Sequence, residues 1–320
     1  MLDSLGSLMT PREMERVRAA ISVLKEASFT VSRICCSRPS CFDIAARKSE
    51  KLIFLKVQPD IGNVSPYDSM ELRMISEKFS AASLLMSEET HEKPLEDDTV
   101  YSRFNVLAVT LKTFESIILR NTPPLIQAGP GGYYVEIDGE AIKRRRQELG
   151  LSVGEVAEKV GISRRTLYGY ERGMTKASVT VAYKLLCTLG IPVAKPVNIF
   201  EAWKREKPLT AKARHMTTGN KLMRKILKKL ANYNIIAVRK APFDFVITVP
   251  EEDVRIIGGV TDGEEKVLDR RVDEILSLSK VVNAHPVLVT ENSKSINKDI
   301  SCVPSEDLSK IKSPEDLCKI

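Results

Sequence analysis

Arg164, Arg165 and Thr166 stand directly after Gly161-Ile162-Ser163, where a serine can cap a helix and leave the next residues pointing outward. An arginine side chain can pair bidentately with guanine in a major groove, and a threonine methyl group can meet thymine. The triplet therefore suits reading of base edges. Cysteine and histidine, the other carriers of site chemistry, are less organised. Cys35, Cys36 and Cys41 cluster without a C-x-x-C pair, Cys187, Cys302 and Cys318 are scattered, and His91, His215 and His285 lie far apart. That spacing predicts no metal site and no cofactor, with the cysteines reduced.

The elements that must position the triplet can be read from the flanking residues. Ser152 with Glu155 has capping-box spacing, and Val156, Ala157 and Val160 give the helix they open an apolar face. Gly161 ends that helix and Ile162 fills the turn. Ser163 opens a second helix with Leu167 and Tyr170 as its apolar residues. The pair is a helix-turn-helix whose second helix, residues 163–172, is shaped to enter a major groove. A basic helix over Ile142 to Leu149 precedes the pair, and an apolar helix from Ser178 to Leu189 follows it, closed by Gly190.

Across this span the chain resembles the Cro/C1-type (Xre-like) DNA-binding domain of phage repressors. The resemblance rests on the basic first helix, G-L-S, the V-A pair, G-I-S, the aromatic-E-x-G ending and the closing apolar helix. It implies a five-helix domain that binds double-stranded DNA, with Arg164, Arg165 and Thr166 reading bases. Lys143, Arg145, Ser152, Ser163, Arg172 and Lys176 are the candidate phosphate contacts, which position without specifying. Two places depart from the family. Gly169 has nothing that reaches a base, and Val153 leaves only backbone N–H groups at the start of the first motif helix.

Charge supports the same reading. The 320-residue chain carries a net +7, yet Gly139 to Lys229 holds 21 Lys and Arg against seven Asp and Glu, a net +14. The remainder carries −7. Such a concentration attracts a polyanion through counterion release. There is no apolar run long enough for a membrane span and no signal-peptide pattern at the N-terminus, so a cytoplasmic protein with no membrane partner is expected.

The two ends of the chain share one order of elements. Helix Arg12–Ala27, strands Phe29–Ile34, Phe42–Arg47 and Leu52–Val57, helix Pro66–Ser80 and strand Ser83–Ser87 form the first series. Helix Asn220–Ala231, strands Asn234–Arg239, Phe243–Val249 and Val254–Val260, helix Glu264–Val282 and strand Pro286–Thr290 form the second. Phe-Asp opens the second strand of each, at Asp43 and Asp244. A duplicated α/β domain is expected. Both third strands read as near-continuous apolar runs and should be central and buried, with Lys56 reaching a rim or a carboxylate, Asp43 above all.

This order resembles the restriction-endonuclease or Holliday-resolvase core. That family holds a divalent metal beside the scissile phosphate with an acid on the second strand and acid-x-Lys on the third. Asp43 and Lys56 match in the first copy, but Phe54 stands where the second acid belongs. The second copy keeps Asp244 and reads Ile256-Ile257-Gly258-Gly259 on the third strand, with neither acid nor lysine. A degenerate domain without catalytic residues is expected, and so no enzyme.

The resulting layout is α/β plus all-α. Two restriction-endonuclease-like α/β domains, 1–121 and 220–320, flank a helix-turn-helix domain at 139–191. A hairpin connector covers 122–138, and a basic linker covers 192–219 with one short helix around Phe200 to Arg205. The whole resembles archaeal helix-turn-helix transcriptional regulators of this length, which implies a sequence-specific DNA-binding regulator acting as a homodimer, with the basal transcription machinery as a further partner. The alternatives are a metal-dependent, structure-selective nuclease of the PD-(D/E)xK type and a bridging protein that does not read bases.

Overall fold

A computed structural model describes residues 9–91, 93–201, 220–249, 254–262, 265–291, 299–311 and 313–318. Helix α1 (Pro11–Glu26) starts at a capping box between Thr10 and Glu13, with Pro11 in the first turn where its missing N–H costs nothing. Strands β1 (Thr30–Val31), β2 (Ile44–Lys48) and β3 (Lys51–Val57) follow, then α2 (Pro66–Lys78), capped by Ser65, and β4 (Ala82–Met86). Short strands β5 (Glu89–Thr90) and β6 (Lys93–Pro94) pair apart from the main sheet. Strands β7 (Thr99–Arg103) and β8 (Val106–Val109) lead to α3 (Leu111–Leu119).

The hairpin expected between the first α/β unit and the helices is β9 (Ile126–Gly129) and β10 (Gly132–Ile137). Helices α4 (Gly139–Glu148), α5 (Val153–Val160) and α6 (Arg164–Glu171) come next. Strand β11 (Ala177–Ser178), helix α7 (Val179–Leu189) and strand β12 (Ala194–Lys195) close this region. Among the described residues it has four helices rather than the five expected. The chain after α7 returns as β12 against β10 and gives up a further helix for a sheet edge. The short helix expected around Phe200 to Arg205 falls mostly within 202–219, outside the described residues.

The hairpin does more than connect. Strand β9 pairs in parallel with β7, and β10 with both β11 and β12, so one sheet runs from β1 through the helical region in the order β1-β2-β3-β4-β8-β7-β9-β10-β11. Val135 and Ile137 of β10 sit in one core with Ile142, Val156, Ala157, Val160, Leu167, Leu185 and Leu189. The helices are therefore welded to the first α/β unit by ladder hydrogen bonds and shared burial.

The final part comprises α8 (Lys221–Lys229), β13 (Asn234–Ala237), β14 (Phe245–Val249), β15 (Val254–Thr261), α9 (Leu268–Val282), β16 (His285–Thr290) and β17 (Ser301–Pro304). Its sheet order is β13-β14-β15-β16-β17, antiparallel across the first two pairs and parallel across the last two. The run β1-β2-β3-β4-β8 has the same directions in the same order. Both third strands are buried along most of their length, as apolar runs flanked by neighbours on both sides must be. The first strand of the first series is shorter than expected, because only Thr30 and Val31 find ladder partners. The helix of the second series likewise begins at Leu268 rather than near Glu264.

Candidate nucleic-acid interface

The α5–α6 pair is built by its caps. Ser152 accepts the Glu155 N–H at 3.2 Å while the Glu155 carboxylate accepts the Ser152 N–H at 2.7 Å. That return bond lowers the Glu155 carboxyl below its ordinary pKa. Ser163 accepts the Thr166 N–H at 3.0 Å, and the two hydroxyls are 2.8 Å apart. Val156, Ala157 and Val160 of α5 and Leu167 and Tyr170 of α6 are buried, which fixes the rotation of α6 about its axis.

That rotation leaves Arg164 and Arg165 exposed on the first turn of α6, with no acidic partner among the described residues, and Thr166 half-buried. The Arg164 guanidinium lies against Gly154 of α5. Lys143 is exposed on α4. The remaining candidate cations already have work. Arg145 donates to the Leu189 carbonyl at 3.1 Å, closing the C-terminus of α7, and pairs with Glu148 at 3.1 Å. The Arg172 guanidinium stacks 4.5 Å from the Tyr168 ring centroid, and Lys176 donates to the Gln127 side chain. Ser152 and Ser163 sit at the two helix starts, where unsatisfied N–H groups favour an anion.

Two residues outside the expected set hold the interface in shape. Arg146 of α4 reaches Glu171 of α6 through two bonds, 2.6 and 3.1 Å, and gives a third to the Leu151 carbonyl at 3.0 Å. Both side chains are nearly buried, and the carboxylate raises the guanidinium pKa above its ordinary value. This bidentate geometry fits arginine and not lysine. Gly139 opens α4 directly against the end of α6, where a methyl group would meet the Tyr170 carbonyl oxygen at 2.2 Å. Sequence spacing could have found Arg146. It lies four residues after buried Ile142, on the inward face of the same helix.

The carboxylates of the two α/β units are equally settled. Asp43 is buried, with Oδ1 2.8 Å from the Lys56 ammonium, the pairing expected from sequence, and Oδ2 accepting the Val57 N–H at 2.7 Å. Burial pushes its pKa up against the opposing pull of Lys56. Phe54, at the second-acid position, packs edge-on against Phe42 with centroids 4.9 Å apart. Asp244 accepts the Val260 N–H at 2.6 Å, pairs with Arg38 at 2.9 Å and also meets Arg271. The Phe245 ring lies over Gly258, 1.9 Å from where a Cβ would stand, so no larger residue fits there.

Among the described residues no group of three His, Cys, Asp or Glu side chains could hold a metal ion. Burial also pushes the Cys35 and Cys41 thiols well above their ordinary pKa, so they stay protonated, and Cys36 is raised for the same reason. No helix among the described residues is long and apolar enough to cross a membrane.

Comparison with known proteins agrees with this geometry. Residues 13–124 match the family model described as a PD-(D/E)XK superfamily domain, and residues 142–195 the model described as Helix-turn-helix. Archaeal relatives named "Putative HTH-type transcriptional regulatory protein" align along nearly the whole chain. One from Methanocella arvoryzae is 32% identical over 93% of this chain and 92% of its own. One from Methanocaldococcus jannaschii is 31% identical, covering 95% and 94%. One from Thermococcus kodakarensis is 29% identical, covering 96% and 95%. A solved SinR protein/SinI protein complex matches at 24% identity over 29% of this chain and 77% of that one, with a TM-score of 0.16, a likeness too faint to carry an argument.

Proposed function

Because the chain belongs to the family of archaeal HTH-type transcriptional regulatory proteins, we propose that it regulates transcription by sequence-specific binding of double-stranded DNA, with α6 in the major groove. The observation that carries this reading is the first turn of α6. Arg164 and Arg165 are exposed and have no acidic partner among the described residues, on a helix locked by the Arg146–Glu171 pair. A rigid helix presenting free guanidinium groups is what bidentate guanine contacts need. Arg164, Arg165 and Thr166 are proposed to read bases. Ser152, Ser163, Lys143, Arg172 and Lys176 are proposed to hold phosphates, with Arg145 contributing if it leaves its intramolecular bonds.

The protein is proposed to act in the cytoplasm as a homodimer on half-sites about 34 Å apart, the spacing of one helical turn. The units proposed are those expected from sequence, 1–121, 122–138, 139–191, 192–219 and 220–320, with the first and last as copies of one α/β core. Matching strand directions support the duplication, as do the equivalent bonds of Asp43 to Val57 N–H and Asp244 to Val260 N–H. The α/β units are proposed to have no nuclease activity, since each carboxylate is already paired with a cation and the third strands read Phe54-Leu55-Lys56 and Ile256-Ile257-Gly258-Gly259, with no acid in either run.

Selection of bound sequences from random duplex DNA tests the reading, with enrichment of one two-fold symmetric motif expected. On that motif Arg164→Ala and Arg165→Ala should each lose about 1–3 kcal/mol of binding, with a smaller loss on random duplex. No enrichment, or equal losses on both DNAs, would rule out base reading by α6.

A further inference from the structure

Helix α8 carries a surface that the recognition helix does not account for. Its nine residues, KLMRKILKK, contain five cations and no acid. Lys221, Arg224, Lys225, Lys228 and Lys229 follow the i, i+3, i+4, i+7, i+8 pattern of one helix face, and all five are exposed. Lys221 borders a hollow also lined by Asp262, Glu265 and Glu291, and Lys229 donates to the Ser309 carbonyl at 3.0 Å. Arg224, Lys225 and Lys228 have no partner among the described residues.

The fold does not require this charge. Helix α1 precedes the first strand of the other α/β unit as α8 precedes β13, and its outward residues mix Arg12, Arg18 and Lys25 with Glu15 and Glu26. Like charges four residues apart on a helix repel, so an unbroken stripe lowers helix stability unless something neutralises it.

We propose that the exposed face of α8 is a second DNA-backbone contact, separate from the helix-turn-helix, in which Arg224, Lys225 and Lys228 engage phosphates of the same duplex. The inference rests on the DNA-binding reading of α6. From Lys221 to Lys229 the stripe extends about 12 Å at about 1.5 Å per residue. Over that length a single DNA strand presents a phosphate about every 3.4 Å. Tethering by α6 raises the local concentration of duplex near α8 without any new affinity. A lipid surface is the poorer match. A basic amphipathic helix binds a bilayer through its apolar face, and here Leu222, Met223, Ile226 and Leu230 are buried against the sheet with at most 3% exposure.

The test is full-length protein with Arg224, Lys225 and Lys228 all changed to Ala, titrated onto the selected duplex and onto random duplex at several salt concentrations. Both affinities should fall by the same factor, leaving the specific-to-random ratio unchanged. The slope of log K against log salt should become shallower by about 0.9 per lost contact, or about 2.7 for three. A milder variant, Lys225→Gln with Lys228→Gln, should give about two-thirds of that change, and melting temperatures no lower than that of the unaltered protein would show that both fold. Unchanged affinity and slope, with unaltered protein still binding, would overturn the α8 contact alone. Failure of the unaltered protein to bind any duplex would instead overturn the reading of α6. Loss of binding to phosphatidylserine vesicles by the triple variant, with DNA binding intact, would overturn the proposal in favour of a membrane role.

Discussion

Asp43 is a buried carboxylate whose bonds are all made within the protein. Its oxygens are taken by Lys56 and by the Val57 N–H. The place of a second acid holds Phe54, whose ring lies between Phe42 and Phe79. A single neutralised carboxylate cannot fix a metal for in-line displacement, so the protein should leave linear duplex and four-way junctions uncut in Mg²⁺ or Mn²⁺. Cleavage products that vanish with Asp43→Ala would contradict this. Reinstating the acid by Phe54→Glu should not help, because it buries a charge among aromatic rings. Chemical denaturation should show a loss of about 3–5 kcal/mol. Asp43 also carries a pH signature. Its folded-state pKa is raised, so the folded protein binds this proton more tightly than the unfolded chain. Its contribution therefore falls as pH rises from about 3.9, the unfolded value, through the raised folded one. The stability of the wild type relative to Asp43→Asn should shrink across that window, and a growing difference would refute the assignment. The Asp43–Lys56 pair was legible in the sequence because one charged residue in an apolar strand must find a partner. The partners of Asp244 were not. Arg38 and Arg271 lie on other elements, 206 and 27 residues away, and no local spacing joins them.

At the scale of elements, α6 is a short helix whose stability comes from its surroundings. Eight residues are too few to be helical alone in water. The Ser163 cap, the Leu167 and Tyr170 contacts and the Arg146–Glu171 pair supply what its own propensity lacks. Removing one partner of a buried ion pair leaves the other charge uncompensated, so Arg146→Ala should cost about 3–5 kcal/mol of stability. Lysine at that position should recover only part of the loss, since it cannot make the bidentate bond. Ser163→Ala should cost about 1 kcal/mol. Equilibrium denaturation measures all three, and a loss for Arg146→Ala no greater than that for the cap would place the pair at the surface. The caps, the turn and the apolar faces of α5 and α6 were readable because each follows a local rule. The joining of β9 to β7, and the return of the chain as β12, depend on which sheet edge is unfilled, and that is decided by tertiary assembly.

At the scale of the whole molecule, the two α/β units hold each other through matching bonds. Buried Glu71 on α2 accepts the Arg239 and Lys240 N–H groups at 2.9 and 2.8 Å. Buried Glu274 on α9 accepts the Cys36 and Ser37 N–H groups at 3.0 and 2.9 Å. Each carboxylate reaches across to the loop before the second strand of the other unit, and the Cys41 N–H bonds the Lys240 carbonyl at 2.8 Å between them. Phe42 and Phe243, the residues preceding Asp43 and Asp244, meet with centroids 6.3 Å apart inside one continuous core. If the units are the two copies proposed above, this is an isologous contact within one chain, the same contact made twice. It explains why neither glutamate stands out in the sequence, since each serves a loop more than 160 residues away. Glu71→Ala and Glu274→Ala should each leave two backbone N–H groups at the seam between the units without their acceptor. A bond to a charged group contributes about 1.5–3 kcal/mol, so each variant should lose about 2–5 kcal/mol. Because both carboxylates close one interface, the double variant should depart from the sum of the two by more than about 0.5 kcal/mol in a thermodynamic cycle. Strict additivity would mean that the two clamps act on separate structures, and the internal dimer would then be a resemblance of topology alone.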